Sequence, residues 1–562
     1  MYSSVMSGTI FGIQGVLIQV EADLSDGLPG FHMVGYLSGE VRESSERIRT
    51  AIRNSGYELP PKRVVINLSP ADIRKNGAGF DLPIAVAMLI SMGVIPEAYT
   101  REILFLGELG LNGAILPMNG VLAIVDEAVK HGCRMVVVSR ENAKEAALIP
   151  DVHVIGVDSL CELAKLLNKN IREVLTEENV LEENTSCLVE GLSDYDMEQL
   201  AESEHVVILE SDSEHLRKTA DDPLPEMDFK DFKGQPLVRR AMEIAASGMH
   251  NLLMTGPPGA GKTMATKCLT GILPELTLEE SMEITKIYSI RGLFDSTDGL
   301  LKNRPFRAPH HTITPTSLIG GGVFPVPGEI TLAHHGVLFL DELPEFNKNV
   351  IEVLRQPLED GRVVVNRLQA SYEFPADVML VAAMNPCPCG CYPDRKRCNC
   401  SFQQIRNYQG RISRAILDRM DLMLRIQPVG YADILGEQKE EDSLSIRKRV
   451  VALHALQKQR YQAYGYLFNS QLDIEGIRKY CCLDRESKDY MQSIFETHDL
   501  SARGYHRLLK LARTIADMDH SDHIEIRHLS EAVAYRIFDS NQDSYTMKNM
   551  HQNIRERTKR GN

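Results

Sequence analysis

The stretch HNLLMTGPPGAGKT, residues 250–263, decides how the chain is read. Leu252-Leu253-Met254 is a short apolar run and reads as a buried strand. Gly256, Pro257, Pro258, Gly259, Ala260, Gly261, Lys262 and Thr263 then satisfy the phosphate-loop pattern G-x-x-x-x-G-K-[ST], and Met264 to Leu273 reads as a helix. The glycines let the backbone turn tightly, so that successive N–H groups point into one hollow. The positive end of the helix faces the same hollow. In that setting Lys262 reaches the β- and γ-phosphates of ATP, and Thr263 offers its hydroxyl to Mg²⁺.

Downstream, GVLFLDE gives a second buried strand, Val337 to Leu340, with Asp341 and Glu342 at its end. Asp341 is placed to hold Mg²⁺, and Glu342 to orient the attacking water as general base. A bare apolar run followed by two acids is a weak signal. Here it lies 79 residues after Lys262 and is followed by a third strand, DVMLVAAMN, which strengthens it. The third strand ends at Asn385, whose amide can touch the γ-phosphate or the water. Capping of the strand before Pro386 is the plainer alternative.

The chain has 562 residues, enough for three or four domains. No apolar run approaches the roughly 18–20 residues a membrane span needs. The opening MYSSVMSGTIFGIQG lacks a basic region followed by an apolar core, so a cytoplasmic protein with no membrane partner is expected. The net charge of −15 is local. Residues 177–231 carry 18 acidic and 3 basic residues, which leaves 59 of each elsewhere. The acidity therefore describes a tether, at about 171–227, and does not argue against nucleic acid as partner of the folded parts.

Residues 1–170 alternate strand and helix patterns. GVLIQVEADL, GFHMVGY and RVVINL read as strands. SGEVRESSERIRTAIRNSG reads as a helix that starts at a serine cap, and FLGELGLNGAILP as a hairpin turning at Asn112-Gly113. LGELGLNGAILPMNGVLAIVDEAVKHGCRMVVVS resembles the protease domain of Lon. That enzyme pairs a serine with a lysine, and the matching positions here are Gly79 and Leu122. The resemblance implies the fold, whereas peptidase chemistry needs a hydroxyl and an amine that these residues do not supply.

RPFRAPHHTITPTSLIGGGVFPVPGEITLAHHGVLFLDELPEF resembles the YifB/ComM family of Mg-chelatase-like AAA+ ATPases, and the resemblance runs over nearly the whole chain. It implies an α/β protein: a Lon-protease-like α+β domain at 1–170, a P-loop AAA+ α/β core at 228–430, an all-α lid at 431–540 and a basic tail at 541–562. It implies a homo-oligomer, a hexameric ring, in which an arginine of one copy meets the γ-phosphate held by the next. YQGRISRAILDRMDL resembles the chelatase motif that favours Arg419, with Arg411 and Arg414 as alternatives. Arg503, opening a lid helix, matches the sensor 2 position. Gly320–Gly322 and Phe324–Ile330 match a loop that faces the ring pore. The implied work is DNA remodelling of the helicase or branch-migration type, in recombination or natural transformation, on single-stranded or branched DNA. A chelatase-type or chaperone-like ATPase remodelling a protein partner is the alternative.

Five of the 11 cysteines crowd into NPCPCGCYPDRKRCNC. Cys387, Cys389, Cys398 and Cys400 form two C-x-C knuckles that can close a tetrahedral Zn²⁺ site, with reduced thiols the alternative; the family resemblance implies that Cys391 is spare. The histidine pairs 310/311 and 334/335 lack ligand spacing and read as structural. Arg395-Lys396-Arg397 on the same loop could meet phosphates or form a solvated turn.

Overall fold

β1 (Tyr2–Phe11) pairs antiparallel with β2 (Gln14–Ser25), from Tyr2 opposite Asp23 to Phe11 opposite Gln14. β1 carries no clear apolar alternation, because its buried positions include Ser3, Ser7 and Thr9. Ser3 Oγ donates to the Ala87 carbonyl at 2.7 Å. Small hydroxyl side chains let the helix Asp81–Ser91, buried along its whole length, lie close against the sheet. The computed structural model describes residues 1–168, 206–210, 227–295, 299–367, 370–428, 430, 440–498 and 500–537. Most of the expected acidic tether and the expected basic tail lie outside these residues.

The first sheet continues with β3 (Gly30–Val34), β4 (Arg63–Ser69), β5 (Ile103–Phe105), β8 (Met135–Ser139), β9 (His153–Val157) and β10 (Val206–Glu210), in the order β10-β9-β8-β5-β1-β2-β4-β3. β6 (Glu108–Leu109) and β7 (Ile115–Leu116) form the expected hairpin around Gly113, which has φ +86°. The helix Gly39–Asn54 starts at Ser38, whose side chain accepts from the Val41 N–H, as the sequence predicts. Its Arg47 makes a two-pronged contact with buried Asp81 at 2.8 and 3.2 Å. β10 comes from the tether: the VVILE stretch pairs antiparallel with β9.

The chain divides into two compact units, and the division does not follow chain order. Leu278–Leu301, which follows the phosphate-loop helix, belongs to the first unit. There the helix Leu278–Ile290 packs on the helix Val121–Lys130. Lys286 Nζ lies 2.6 Å from Asp126, and Ser289 donates to buried Glu145. Glu145 also accepts from the Leu122 N–H at 3.1 Å and from Asn142 at 3.0 Å. Burial pushes its carboxyl above the ordinary value, and these three donors oppose that rise.

The second unit is built on a parallel sheet of β11 (Leu252–Thr255), β12 (Phe306–Arg307), β15 (Val337–Leu340), β18 (Met379–Met384) and β19 (Leu422–Arg425), in the order β12-β15-β18-β11-β19. Strands buried on both faces read as unbroken apolar runs, which is why LLM, VLFL and MLVAAM are legible in the sequence. Two hairpins interrupt the crossovers. β13 (Gly320–Gly321) pairs with β14 (Val326–Pro327), and β16 (Arg362–Asn366) pairs with β17 (Ser371–Pro375). The helices Ser443–Tyr461, Ile474–Tyr480, Arg485–Thr497, Ala502–Met518 and Ile526–Ile537 form the all-helical C-terminal part.

Candidate active site

β11 ends at Thr255 and the helix Lys262–Ile272 begins seven residues later. Two glycines of the loop are required for distinct reasons. At Gly256 a Cβ would sit 2.7 Å from the Ile426 carbonyl oxygen, so a side chain there would collide with backbone. Gly261 caps the helix with φ +88°, a left-handed conformation that disfavours side chains. Behind the loop, Gln235, at the cap of the helix Pro236–Gly248, donates to the Ala260 carbonyl at 3.1 Å and so ties the start of that helix to the cradle.

Lys262 is only 9% exposed. Its Nζ donates to the carbonyls of Gly256 (2.7 Å) and Pro257 (3.0 Å) and to Asn385 Oδ1 (3.1 Å). Burial pushes the ammonium below its ordinary pKa, while Asp341 and Glu342 pull it back up. Thr263 Oγ1 donates to Asp341 Oδ2 at 2.9 Å, and Asp341 Oδ1 accepts from the Glu342 N–H at 2.9 Å. Glu342 has φ +53°, which is uncommon for a residue with a side chain and of the kind that gathers at functional sites. The ends of β11, β15 and β18 thus bring Lys262, Thr263, Asp341 and Asn385 into direct contact. A hydroxyl and a carboxylate oxygen side by side are the hard donors Mg²⁺ takes.

The arginines are held differently. Arg419 is 7% exposed. Its Nη1 donates to the Ala415 carbonyl at 2.7 Å, and its Nη2 pairs with Glu359. Arg503 Nη2 reaches the other oxygen of the same Glu359 at 2.8 Å. Arg411 donates to Glu345 at 3.0 Å and to the Pro344 carbonyl at 3.2 Å, beside the turn that carries Glu342. Arg414 is exposed at the start of the helix Arg414–Leu417.

A cluster that motif reading passes over lies at the base of the sheet. Asp421 Oδ1 accepts from Arg507 at 2.5 Å, Asp421 Oδ2 accepts from the Asn251 N–H at 3.0 Å, and His250 Nδ1 lies 3.5 Å away. His250 Nε2 meets Thr514 Oγ1 at 2.7 Å. Asn251 also donates to the Arg419 carbonyl at 3.0 Å and accepts from the Leu380 N–H at 2.8 Å. Burial would push the Asp421 carboxyl up, but Arg507 and His250 outweigh it and hold the group well below the carboxylate range. Arg507 and Thr514 lie on the helix Ala502–Met518, the helix Arg503 opens, so this cluster ties the lid to the sheet. In the sequence its members stand only as the polar pair before LLM and the second acid of DRMDL, too far apart for spacing to join them.

The sulfurs of Cys387, Cys389, Cys398 and Cys400 all lie within 4.8 Å of one another. Three of the separations are 3.4, 3.6 and 3.8 Å. Tetrahedral Zn–S bonds of about 2.3 Å place thiolates roughly 3.8 Å apart, so the four sulfurs fit the ion. Cys391 turns away, its Sγ 3.5 Å from the Cys389 carbonyl. Gly390, with φ +78°, passes so close to the phosphate loop that a Cβ would sit 2.4 Å from Pro258 Cδ. Arg395 stacks on Phe402 (4.2 Å) and Tyr392 (5.0 Å) and donates to the Cys400 carbonyl, which makes it a brace of this loop. Lys396 and Arg397 are exposed. The rings of His310 and His311 are tilted against each other with centres 4.0 Å apart, as are those of His334 and His335 at 3.7 Å.

In the first unit a Cβ on Gly79 would lie 2.8 Å from the end of Met118, and Leu122 is fully buried. No serine–lysine pair stands at these positions. Among the described residues no helix is long and apolar enough to cross a membrane.

Residues 228–434 match the family described as magnesium chelatase, subunit ChlI; residues 20–142 match subunit ChlI of Mg-chelatase; residues 440–536 match its C-terminal part. The YifB protein of Salmonella typhimurium is 38% identical over 530 residues, covering 94% of this chain and 96% of the relative. The competence protein ComM of Haemophilus influenzae is 36% identical, covering 95% and 97%. A Lon protease of Trichlorobacter lovleyi is 24% identical over 166 residues, covering 27% of this chain and 20% of the relative. Membership of an AAA+ family implies ATP and Mg²⁺ as cofactors, for which Lys262, Thr263 and Asp341 are suitably placed. The chain belongs to the YifB/ComM family of Mg-chelatase-like AAA+ proteins.

Proposed function

We propose that this protein is a cytoplasmic ATP-hydrolysing ring motor that binds and remodels DNA, single-stranded or branched, as a helicase or branch-migration enzyme does. The observation that carries the hydrolysis reading is the contact set Lys262–Asn385 and Thr263–Asp341 with Glu342 beside it. Lys262 leaves its carbonyl partners to meet the β- and γ-phosphates. Asn385, which it touches, holds the γ-phosphate or the attacking water. Glu342 orients that water and takes its proton as the bond to the leaving oxygen breaks. Mg²⁺, when bound at Thr263 and Asp341, neutralises charge between the phosphates.

An arginine from the neighbouring copy completes the site. Arg419 serves by resemblance once it leaves Glu359, and Arg411 and Arg414 already face solvent. Arg503 couples the lid to the γ-phosphate in the same way, from the other side of Glu359. A site shared between copies calls for a ring, and the family resemblance makes that ring a hexamer.

The DNA reading is supported by the hairpins. Val323, at the tip between β13 and β14, is 81% exposed. The Arg367 guanidinium of the second hairpin lies beside Gly321 of the first, 3.5 Å from where a Cβ would stand. Backbone and cationic contacts of this kind grip phosphates without reading sequence. The name of the Haemophilus relative, a competence protein, points the same way. The four clustered thiols hold Zn²⁺ and brace Gly390 against the phosphate loop. No peptidase chemistry is proposed for the first unit.

The test is ATP turnover with single-stranded, forked and duplex DNA across a salt series. Stimulation that falls steeply with salt is expected. Turnover indifferent to every DNA, but raised by a protein partner, would favour the chelatase-type alternative.

A further inference from the structure

The first unit lacks a serine–lysine pair, yet it holds a segment that the chain sends out from beside the phosphate loop. Five residues separate the helix Lys262–Ile272 from the helix Leu278–Ile290. The segment leaves and returns through a pinned stem. The Leu276 N–H donates to the Lys302 carbonyl at 2.8 Å. Arg304 donates through Nε to the Pro274 carbonyl at 3.0 Å and through Nη1 to the His335 carbonyl at 2.7 Å. Pro274 lies two residues past the phosphate-loop helix, and His335 two residues before β15, the strand that leads to Asp341. Within the segment, Ser281 donates to the Leu301 carbonyl and the Leu301 N–H donates to Thr285 Oγ1 at 3.2 Å, which joins its outgoing and returning arms.

Met282, Lys286 and Ser289 recur at helical spacing and share one face of the helix Leu278–Ile290. Met282 packs on the apolar cluster that contains Leu122. Lys286 meets Asp126 at 2.6 Å, and Ser289 donates to Glu145. Just past the helix, Gly292 has φ +64°, and a Cβ there would sit 2.8 Å from Asn119 Nδ2. Ile290 Cγ1 lies 3.3 Å from where a Cβ on Gly120 would stand. The receiving surface is therefore the start of the helix Val121–Lys130, where the Lon resemblance puts the catalytic lysine at Leu122. Glu145 gives the docking its hold. It is 6% exposed, and its donors, the Leu122 N–H, Asn142 and Ser289, are all uncharged. With Ser289 withdrawn, a buried carboxylate loses a donor, a cost that a surface contact does not carry.

We propose that the first unit is a receptor for the segment Leu278–Leu301, and that this docking holds the phosphate-loop helix and β15 in the arrangement that binds ATP. The surface that carries peptidase chemistry in Lon here carries a grip on the ATPase segment. The inference rests on the reading of Lys262, Thr263 and Asp341 as the ATP and Mg²⁺ site. Arg304 is the link, because it touches the chain just after the phosphate-loop helix and just before β15. Such coupling is reciprocal: docking favours ATP, and ATP tightens docking.

The test uses full chains and a fluorescent, non-hydrolysable ATP analogue with Mg²⁺. Lys286→Glu sets two acids against each other and is expected to weaken analogue binding about fivefold. Asp126→Lys is expected to do the same from the other side. The two together restore an opposite-charge pair and should return affinity to within about twofold of wild type; Lys130, largely exposed, can turn away from the new lysine. In wild type the analogue should slow hydrogen exchange in the helix Val121–Lys130. Lys286→Glu should abolish that response and the double variant should recover it, whereas a merely structural contact gives no response to nucleotide there. The inference is overturned if exchange in that helix ignores the analogue in wild type, if Lys286→Glu binds it as tightly as wild type, or if the double variant binds it no better than the single ones. Wild type that binds no ATP analogue at all refutes the underlying reading instead, which separates the two failures.

Discussion

The Lys262 ammonium donates to the Asn385 carboxamide at 3.1 Å, across 123 residues of sequence. Two residues singled out for different reasons, one from a loop pattern and one from a strand end, meet because β11 and β18 are neighbours in the sheet. Lys262→Ala removes the only cation in that contact set and should cut turnover by roughly 10²–10³-fold, with weakened ATP binding. Asn385→Ala should lower kcat about tenfold or more while ATP affinity changes little. Steady-state kinetics alongside analogue binding separates the two effects. Equal losses of affinity in both variants would place Asn385 in ground-state binding only.

Asp421 carries a pH dependence of definite sign. Its folded-state carboxyl is held well below the unfolded value of about 3.9, because Arg507 and His250 outweigh burial. The stability it contributes is therefore full above about pH 4 and is lost as pH falls towards the folded value. Asp421→Asn should destabilise the second unit at pH 7 by about 3–5 kcal/mol, since Arg507 and His250 are left facing a neutral group. The gap between wild type and variant should narrow as acid denaturation is followed below about pH 4. A gap that widens in acid would reverse the assignment.

The cysteine geometry predicts one zinc per chain. Elemental analysis should find it, Cys398→Ser should lose it and Cys391→Ser should keep it, because Cys391 Sγ is turned to a backbone carbonyl. Stoichiometric zinc that survives Cys398→Ser, or none in wild type, contradicts the proposed site.

Gly390 links that cluster to the nucleotide. A side chain at this position meets both a left-handed backbone and the Pro258 ring. Gly390→Ala should raise KM for ATP several-fold and leave the zinc content at one. Unchanged KM would mean that the loop gives way without disturbing the cradle.

Much of the fold was legible because a parallel sheet buried on both faces spells its strands as apolar runs. LLM, VLFL and MLVAAM each led to a site residue at the strand end. What escaped did so for stated physical reasons. β1 hides its buried face behind Ser3, Ser7 and Thr9. The Asp421–Arg507–His250 cluster joins residues from distant parts of the chain, so spacing could not show it. The helix Leu278–Ile290 lies between two core elements in sequence, yet its Lys286 and Ser289 find partners at Asp126 and Glu145 in the first unit. The sharing of Glu359 by Arg419 and Arg503 could be seen only in three dimensions.

The central claim is that ATP is cleaved where the cradle of one copy meets an arginine of the next. Turnover per chain, measured across a protein dilution series in saturating ATP alongside mass by light scattering, tests it most directly. Turnover should rise with the fraction of assembled ring and vanish when only monomer remains. Full turnover by a monomer would contradict the account.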